Sequence, residues 1–526
     1  MFRIKPKISL VIIYFISIIF LLVSCSSTTS ERENSKTIVS QEESSSDLVK
    51  SSDLVKLNWV VNIEKEEKSD IFLNLENAIN EYLNQIEAGY NIKITPYMSD
   101  IYQEMDATEI FWCSLDPVVT AEIRQDESIE VVKDKYPDAD LISIHNGVLL
   151  NGYYKGRSYY EDACNKELLL DLEPFMSSEA GNKIKELLDE NELDLARVNH
   201  KLYGIGDYKH YFPACFYNVE MLNKYDIDEE SLTANVLDQM TNFSQLSEDG
   251  ITSIYTSSDQ HLIYSAPINY ANIDRCVNVI IEPSGKVSSY FDLPEVEEYL
   301  TKLADLKQQG MLSFQEDINE IDQETFYMMR NLTDTLTTNT KIIELKTNKG
   351  LQKFEILDVS DTSNYHLLSS ADNYVNSIFR DSKNPDQAFD FLSRLLSDQE
   401  LIDLILKNFT YTGFSSIHSS LNLFNQLDKA DRQIFQAMLK PFENICGFRF
   451  DTEPVLKEIE QVNSVIGFYV TDPNNLSEAA MAINNLEQPM EKHLADIRKE
   501  LDEAGIKTVI SEVEHQYQEW LALKED

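Results

Sequence analysis

The sequence predicts an α/β fold, and three observations carry that expectation. Segments rich in β-branched residues alternate with segments of helical spacing from residue 54 onward. Hydrophobic residues make up 43% of the chain and aromatic residues 10%, enough for sizeable cores. The stretch 494–521 reads as helix-rich, with Val513, Tyr517 and Trp520 as core positions of a final helix.

Taken in order, "LVKLNWVVNI" (54–63) alternates and reads as a first strand. "DIFLNLENAINEYLNQI" places Ile71, Leu75, Ala78, Ile79, Tyr82 and Ile86 at helical spacing, and "NIKITPYM" reads as a second strand. Strand, helix, strand is the opening of an α/β domain with a mixed or parallel sheet. Between 109 and 144 only "ADLISIHN" stands out as a strand. "KLYGI" (201–205) reads as another, with Gly204 and Gly206 loosening its exit before a short helix over Val219–Tyr225. In "NPDQAFDFLSRLLSDQE" Asn384 can cap and Pro385 suits the first turn. Ala388, Phe391, Leu392, Leu395 and Leu396 form one apolar stripe.

The chain begins with Arg3, Lys5 and Lys7, followed by an apolar run over 8–23 broken only by Ser9 and Ser17. That is the pattern of a secretory signal, slightly short for a spanning helix. Its end, Leu22-Val23-Ser24-Cys25, resembles a bacterial lipobox, which implies cleavage before Cys25 and lipidation of that cysteine (a diacylglycerol group with palmitate-type chains). The alternative is an uncleaved anchor; either places the rest of the chain outside the cytoplasm. Residues 25–56 hold many Ser, Thr and Glu and almost no aromatics, so they read as a tether. "SSDLVK" occurs twice there in tandem, and the repeat is given no functional weight.

About 470 residues remain beyond the tether, room for two or three lobes. Acidic residues number 90 against 45 basic, a formal charge of −45, which disfavours nucleic acid and anionic lipid surfaces as partners. Cys113, Cys164, Cys215, Cys276 and Cys446 are scattered and odd in number, with no CxxC pair, so zinc is disfavoured and buried free thiols are the expectation. One or two disulfides stay open in an exported chain. No HExxH, GxSxG or GxxxxGK[ST] occurs, and no cofactor is implied. The cluster Asp226-Ile227-Asp228-Glu229-Glu230 starts like a calcium loop but lacks the glycine at the sixth place, so it reads as an acidic helix terminus.

"HKLYGIGDYKHYFPACFYNVEMLNKYDID" (200–228) resembles the lobe-crossing signature of extracellular solute-binding proteins of carbohydrate ABC transporters, family 1, with the maltose-binding type of fold. It departs from that pattern at His200, usually glycine, and Gly206, usually proline. "RDSKNPDQAFDFLSRLLSDQE" (380–400) resembles a second segment of the same family. "GFRFDTEPVLKEIEQVNSVI" (447–466) and "LADIRKELDEAGIKTVISEVEHQYQEWL" (494–521) resemble the two halves of a C-terminal domain of unknown function found in a lipoprotein subgroup, with a shortened spacer here. The resemblance implies a two-lobed periplasmic-binding-protein-like fold with a hinge and an interlobe cleft. It divides the chain into 1–24 signal, 25–56 tether, 57–206 and 367–416 first lobe, 207–366 second lobe, and 417–526 a helical region completing the second lobe. The implied partners are an oligosaccharide or related small solute, an ABC permease, and the outer face of the cell membrane through Cys25.

A sugar site needs flat aromatic faces beside groups that bond hydroxyls. The crossing loop gathers Asp207, Tyr208, His210, Tyr211 and Phe212, and these are candidate ligand contacts. Trp59 on the first strand, Trp112 in "EIFWCSLDP" and Tyr154 in the tyrosine-dense "NGYYKGRSYYED" (151–162) are further candidates. The competing role for each is ordinary packing. Two other functions use the same ingredients: a surface glycosidase, and an adhesin or sensor that binds without transport.

Overall fold

The structure is a computed structural model. It describes residues 54–62, 69–97, 129–145, 159–206, 211–226, 252–256, 263–273 except 265 and 267, 276–314, 325–333, 342–347, 350–356, 366–368, 374–410, 436–466 except 438, and 476–525. The chain divides into Met1–Asp53 and Leu54–Asp526, and every described residue lies in the second unit. The signal, Cys25 and most of the tether therefore lie outside the described residues. Among the described residues no helix is long and apolar enough to cross a membrane.

The first sheet is built from β1 (Val55–Asn62), followed by helix α1 (Ser69–Gln85), β2 (Tyr90–Tyr97), α2 (Ile129–Lys135) and β3 (Leu141–His145). β1 starts inside the second "SSDLVK" copy, so Val55 and Lys56 belong to the sheet and not to the tether. β1 lies between β2 and β3 and is parallel to both. In such parallel stretches helices cover both faces of the sheet, and Phe391 of the later helix over 385–397 packs on Trp59. Leu57, Trp59, Val60 and Val61 are accordingly all buried, where the sequence suggested alternation. On α1 the buried stripe is Phe72, Leu75, Ile79, Tyr82 and Leu83. Ile86, expected on that stripe, falls beyond the helix end and is exposed.

Next come α3 (Tyr159–Asn165), α4 (Glu179–Leu187) and α5 (Glu190–Asp194), then a hairpin of β4 (Arg197–Val198) and β5 (Lys201–Leu202), then β6 (Gly204–Ile205). α4 is capped by Ser178, whose side chain accepts from the Gly181 N–H, and α5 by a reciprocal capping box between Asp189 and Glu192. The segment expected as one strand over 201–205 is thus two short strands in different sheets, broken at Tyr203.

The chain then builds a second set of sheets with β7 (Tyr211–Asn218), α6 (Val219–Tyr225), β8 (Thr252–Thr256), β9 (Tyr270–Ile273), β10 (Cys276–Ile281), β11 (Val287–Ser289), α7 (Pro294–Gln308), β12 (Leu312–Phe314), β13 (Thr325–Thr333), β14 (Ile342–Thr347), β15 (Gly350–Ile356) and β16 (His366–Leu368). Six of them form a sheet of order β12-β8-β13-β7-β15-β14 and four a sheet of order β11-β10-β9-β16. α6 forms where expected, with Asn218 accepting at its N-terminus and Asp226 closing it in the left-handed conformation.

β17 (Tyr374–Ile378) returns to the first sheet, antiparallel to β3, and completes the order β2-β1-β3-β17-β6. Because β16 still pairs with β9, the return falls between Leu368 and Tyr374. α8 (Pro385–Ser397) and α9 (Gln399–Thr410) follow. The stripe Ala388, Phe391, Leu392, Leu395 and Leu396 is buried as the spacing required. Asn384, expected as the cap, makes no side-chain cap bond; its N–H instead donates to Ser382 Oγ, 3.3 Å away. On the same helix Arg394 bridges Asp390 (2.7 Å) and Asp398 (3.3 Å). Those carboxylates accept from Tyr90 (2.6 Å) and Tyr82 (2.7 Å), tying α8 to β2 and α1. Burial, followed by the adjoining carboxylates, pushes both phenols well above their ordinary range, so they stay neutral donors.

The C-terminal region holds α10 (Leu456–Ile466), α11 (Glu478–Asn484), α12 (Met490–Glu503) and α13 (Ile506–Glu525). α10 and α13 pack on β10, α13 also on β11, and α12 on α7. The fold is therefore α/β with a helix-rich C-terminal region, as the sequence implied.

Candidate binding site

Strand direction singles out one edge of the first sheet. β1, β2 and β3 are mutually parallel and end at Asn62, Tyr97 and His145. β17 is antiparallel to β3, with Tyr374 opposite His145, so its amino end lies at that same edge. β6 is antiparallel to β17, pairing Ile205 with Asn376 and Gly204 with Ser377, so it runs with β3 and also ends there. In open α/β sheets ligands bind beyond the carboxyl ends of the strands. Here four carboxyl ends and one amino end converge.

The connections that leave this edge carry most of the candidate ligand contacts. Trp112 lies in the segment after β2, Tyr154 in the one after β3, and Asp207, Tyr208 and His210 in the one after β6. These five residues lie outside the described residues; their strand anchors lie within them. Tyr211 and Phe212, expected in the crossing loop, open β7 and pair with Thr333 and Leu332 of β13. Long-range pairing wins over the loop-like composition there. Trp59 is not a surface aromatic. It is fully buried on the interior strand β1 and packs edge-on against Phe391, centroids 5.4 Å apart.

Beneath the edge lies a polar pair that the sequence reading missed. Ser143 Oγ donates to Asn376 Oδ1 across the β3–β17 pairing, and both residues are almost wholly buried. A buried polar pair inside a sheet is costly unless satisfied. Its only sequence signal is the interruption of "LISIH" and "YVNSI" by polar residues, 233 positions apart.

Among the described residues no group of three or more His, Cys, Asp or Glu is placed to hold a metal. Cys164, Cys276 and Cys446 are free and buried; burial pushes the Cys276 and Cys446 thiols up to about 12 and Cys164 higher still, so all three stay protonated. Cys113 and the side chain of Cys215 lie outside the described residues.

Residues 444–522 match the family model described as a domain of unknown function, DUF3502. The C-terminal segment is similar to that domain. The match covers both stretches whose motifs resembled such a domain. Among solved structures the chain is similar to the N-glycan transport solute binding protein (NgtS) from Streptococcus pneumoniae, at 14% identity over 89% of this chain and 99% of that one, with a TM-score of 0.49. It is also similar to an extracellular solute-binding protein family 1 from Alicyclobacillus acidocaldarius, at 10% identity over 86% and 99%, TM-score 0.42. A third similar structure is maltose-bound T. maritima MalE3, at 13% identity over 85% and 99%, TM-score 0.38. No curated protein matches the chain.

Proposed function

We propose that this protein captures a small solute of the oligosaccharide class at the converging edge of the first sheet and delivers it to an ABC permease, held at the outer face of the membrane by a lipid on Cys25. The observation that carries the reading is topological. One sheet edge gathers the carboxyl ends of β1, β2, β3 and β6, and with them the connections bearing Trp112, Tyr154, Asp207, Tyr208 and His210. The ordered motifs over 200–228 and 380–400 and the C-terminal DUF3502 domain support the same assignment. In this reading binding, not turnover, is the activity; the second set of sheets supplies the facing wall, and hinge closure traps the solute.

A thermal-shift screen against neutral and acidic oligosaccharides and short peptides tests the binding step. A ligand at 100 times its dissociation constant adds about 2.7 kcal/mol to stability and raises the midpoint. A selective shift with intact sugar recovered afterwards is expected. A shift that fades as the sugar is cut would make the protein a glycosidase, and silence from every sugar would remove the carbohydrate assignment.

Anchoring has its own test. Two acyl chains hold a protein stably at a bilayer where one holds it marginally, because each buried methylene contributes about 0.8 kcal/mol. Cys25→Ala should abolish incorporation of labelled fatty acid and release the protein from the membrane fraction. Wild-type protein that takes up no label would refute the anchor.

A further inference from the structure

The β4–β5 hairpin turns through two residues, Asn199 and His200, both at positive φ (50° and 61°), with Val198 paired to Lys201. Two positive-φ residues in a two-residue loop make the tight mirror-image turn that favours glycine at its second place. A histidine there is strained where glycine would not be. Residues held in sparsely populated backbone regions persist when the surroundings over-determine them. The His200 side chain accounts for this one. Its ring stacks on Trp520 of α13, centroids 5.1 Å apart, and its Nε2–H donates to the Trp520 carbonyl at 3.0 Å.

Around this pair the C-terminal domain makes further directional contacts to the first-lobe segment. Arg449 donates to the carbonyls of Leu195 (2.8 Å) and Arg197 (3.2 Å), and its guanidinium lies over the Tyr160 ring. Lys524 reaches Asp194 at 3.4 Å and lies over the Trp520 ring, while Gln436 donates to Glu192 at 2.9 Å. The other side of the same domain is joined differently. Val509, Val513, Leu494, Ile497 and Leu501 are buried, and Tyr517 lies so close to Gly285 in the β10–β11 turn that a Cβ there would sit 3.1 Å from its ring. Arg498 donates to the Phe291 carbonyl at 2.7 Å. One helix, α13, thus presents Tyr517 to the four-stranded sheet and Trp520, a single turn later, to the first-lobe hairpin.

We infer that the DUF3502 domain is fixed to the four-stranded sheet and latched to the first lobe through the His200–Trp520 contact, so that it travels with the second set of sheets when the lobes move. Buried apolar packing makes the fixed side; the partly buried His200–Trp520 stack, a few polar bonds and the close approach of Gly447 to Asp194 make the side that opens. The lobe motion is that of the proposed solute-binding function; the latch itself is the same whichever solute binds.

Hydrogen exchange on the full chain, compared with His200→Gly and Trp520→Ala, decides it. His200→Gly removes the latch side chain while relieving the turn, so it retains the fold even if Trp520→Ala does not. Peptides covering 194–203 and 444–450 should exchange about tenfold faster or more in His200→Gly, a change that local opening produces. Peptides from α10 and α12 should keep their wild-type rates. Unchanged exchange in 194–203 and 444–450 would overturn the latch. Equal acceleration of α10 and α12 would also overturn it, since the domain would then have no separately fixed side.

Discussion

Trp59→Ala should destabilise the protein by about 3–5 kcal/mol, the range for truncating a large aromatic in a packed core. Trp59 is fully buried on β1, an interior strand of the first sheet flanked by parallel neighbours on both sides, and its ring meets Phe391 edge-on. Phe391 in turn sits edge-on to Tyr90, centroids 6.3 Å apart, so the cavity would open where α8 is seated on β1 and β2. Trp59→Phe separates packing from polarity. It retains a ring against Phe391 and deletes the indole N–H, which is buried without a hydrogen-bond partner in the structure. That variant should therefore lose much less than alanine, on the order of 1–2 kcal/mol. Denaturant unfolding of the two variants gives the comparison. If Trp59→Ala instead left stability intact and lowered solute affinity alone, the tryptophan would be a cleft residue after all.

That contrast shows what was legible in the sequence and what was not. Local periodicity located α1, α6 and α8, and β1, β2 and β3, because a helix stripe or a strand of β-branched residues is written in adjacent positions. It failed wherever the deciding partner was far along the chain. "LNWVV" alternates weakly, yet every large side chain in it is buried, because β1 lies inside a parallel stretch whose faces are covered by helices, α8 among them. Tyr211 and Phe212 have loop-like neighbours, and only pairing with residues 332 and 333 makes them strand. Asn384 has the right residue type and position for a cap, yet its side chain makes no cap bond; the turn before the helix is held by Ser382, which accepts from the Asn384 N–H and donates to Asp140 at 2.6 Å. Ser143 and Asn376 meet only after β17 has returned to the first sheet. For the candidate site, the sequence named the aromatic-rich connections; the strand directions that put their starting points at one edge came from the fold.

Gly447→Ala should be the most damaging small substitution in the C-terminal domain, and a second glycine provides its control. Gly447 has φ of +86°, where an L residue is strained by about 1–2 kcal/mol. A Cβ at that position would also lie 2.6 Å from the carbonyl oxygen of Asp194, a backbone atom at the end of α5 that no rotamer change can move aside. Gly310 has φ of +75° with nothing within 4 Å of its would-be Cβ, so Gly310→Ala carries the strain alone. The expected loss is about 1 kcal/mol for Gly310→Ala and about 3 kcal/mol for Gly447→Ala, the difference being the cost of moving two backbones apart. Because Arg449 and Lys524 hold the same α5–β4 segment, the displaced Asp194 would take those contacts with it. Gly447→Ala should then combine a lowered unfolding midpoint with faster hydrogen exchange at 194–203, whereas Gly310→Ala should lower the midpoint slightly and leave that exchange unchanged. Equal effects of the two substitutions on both measurements would mean that the approach of 447 to 194 contributes nothing, and that backbone conformation alone explains the glycine.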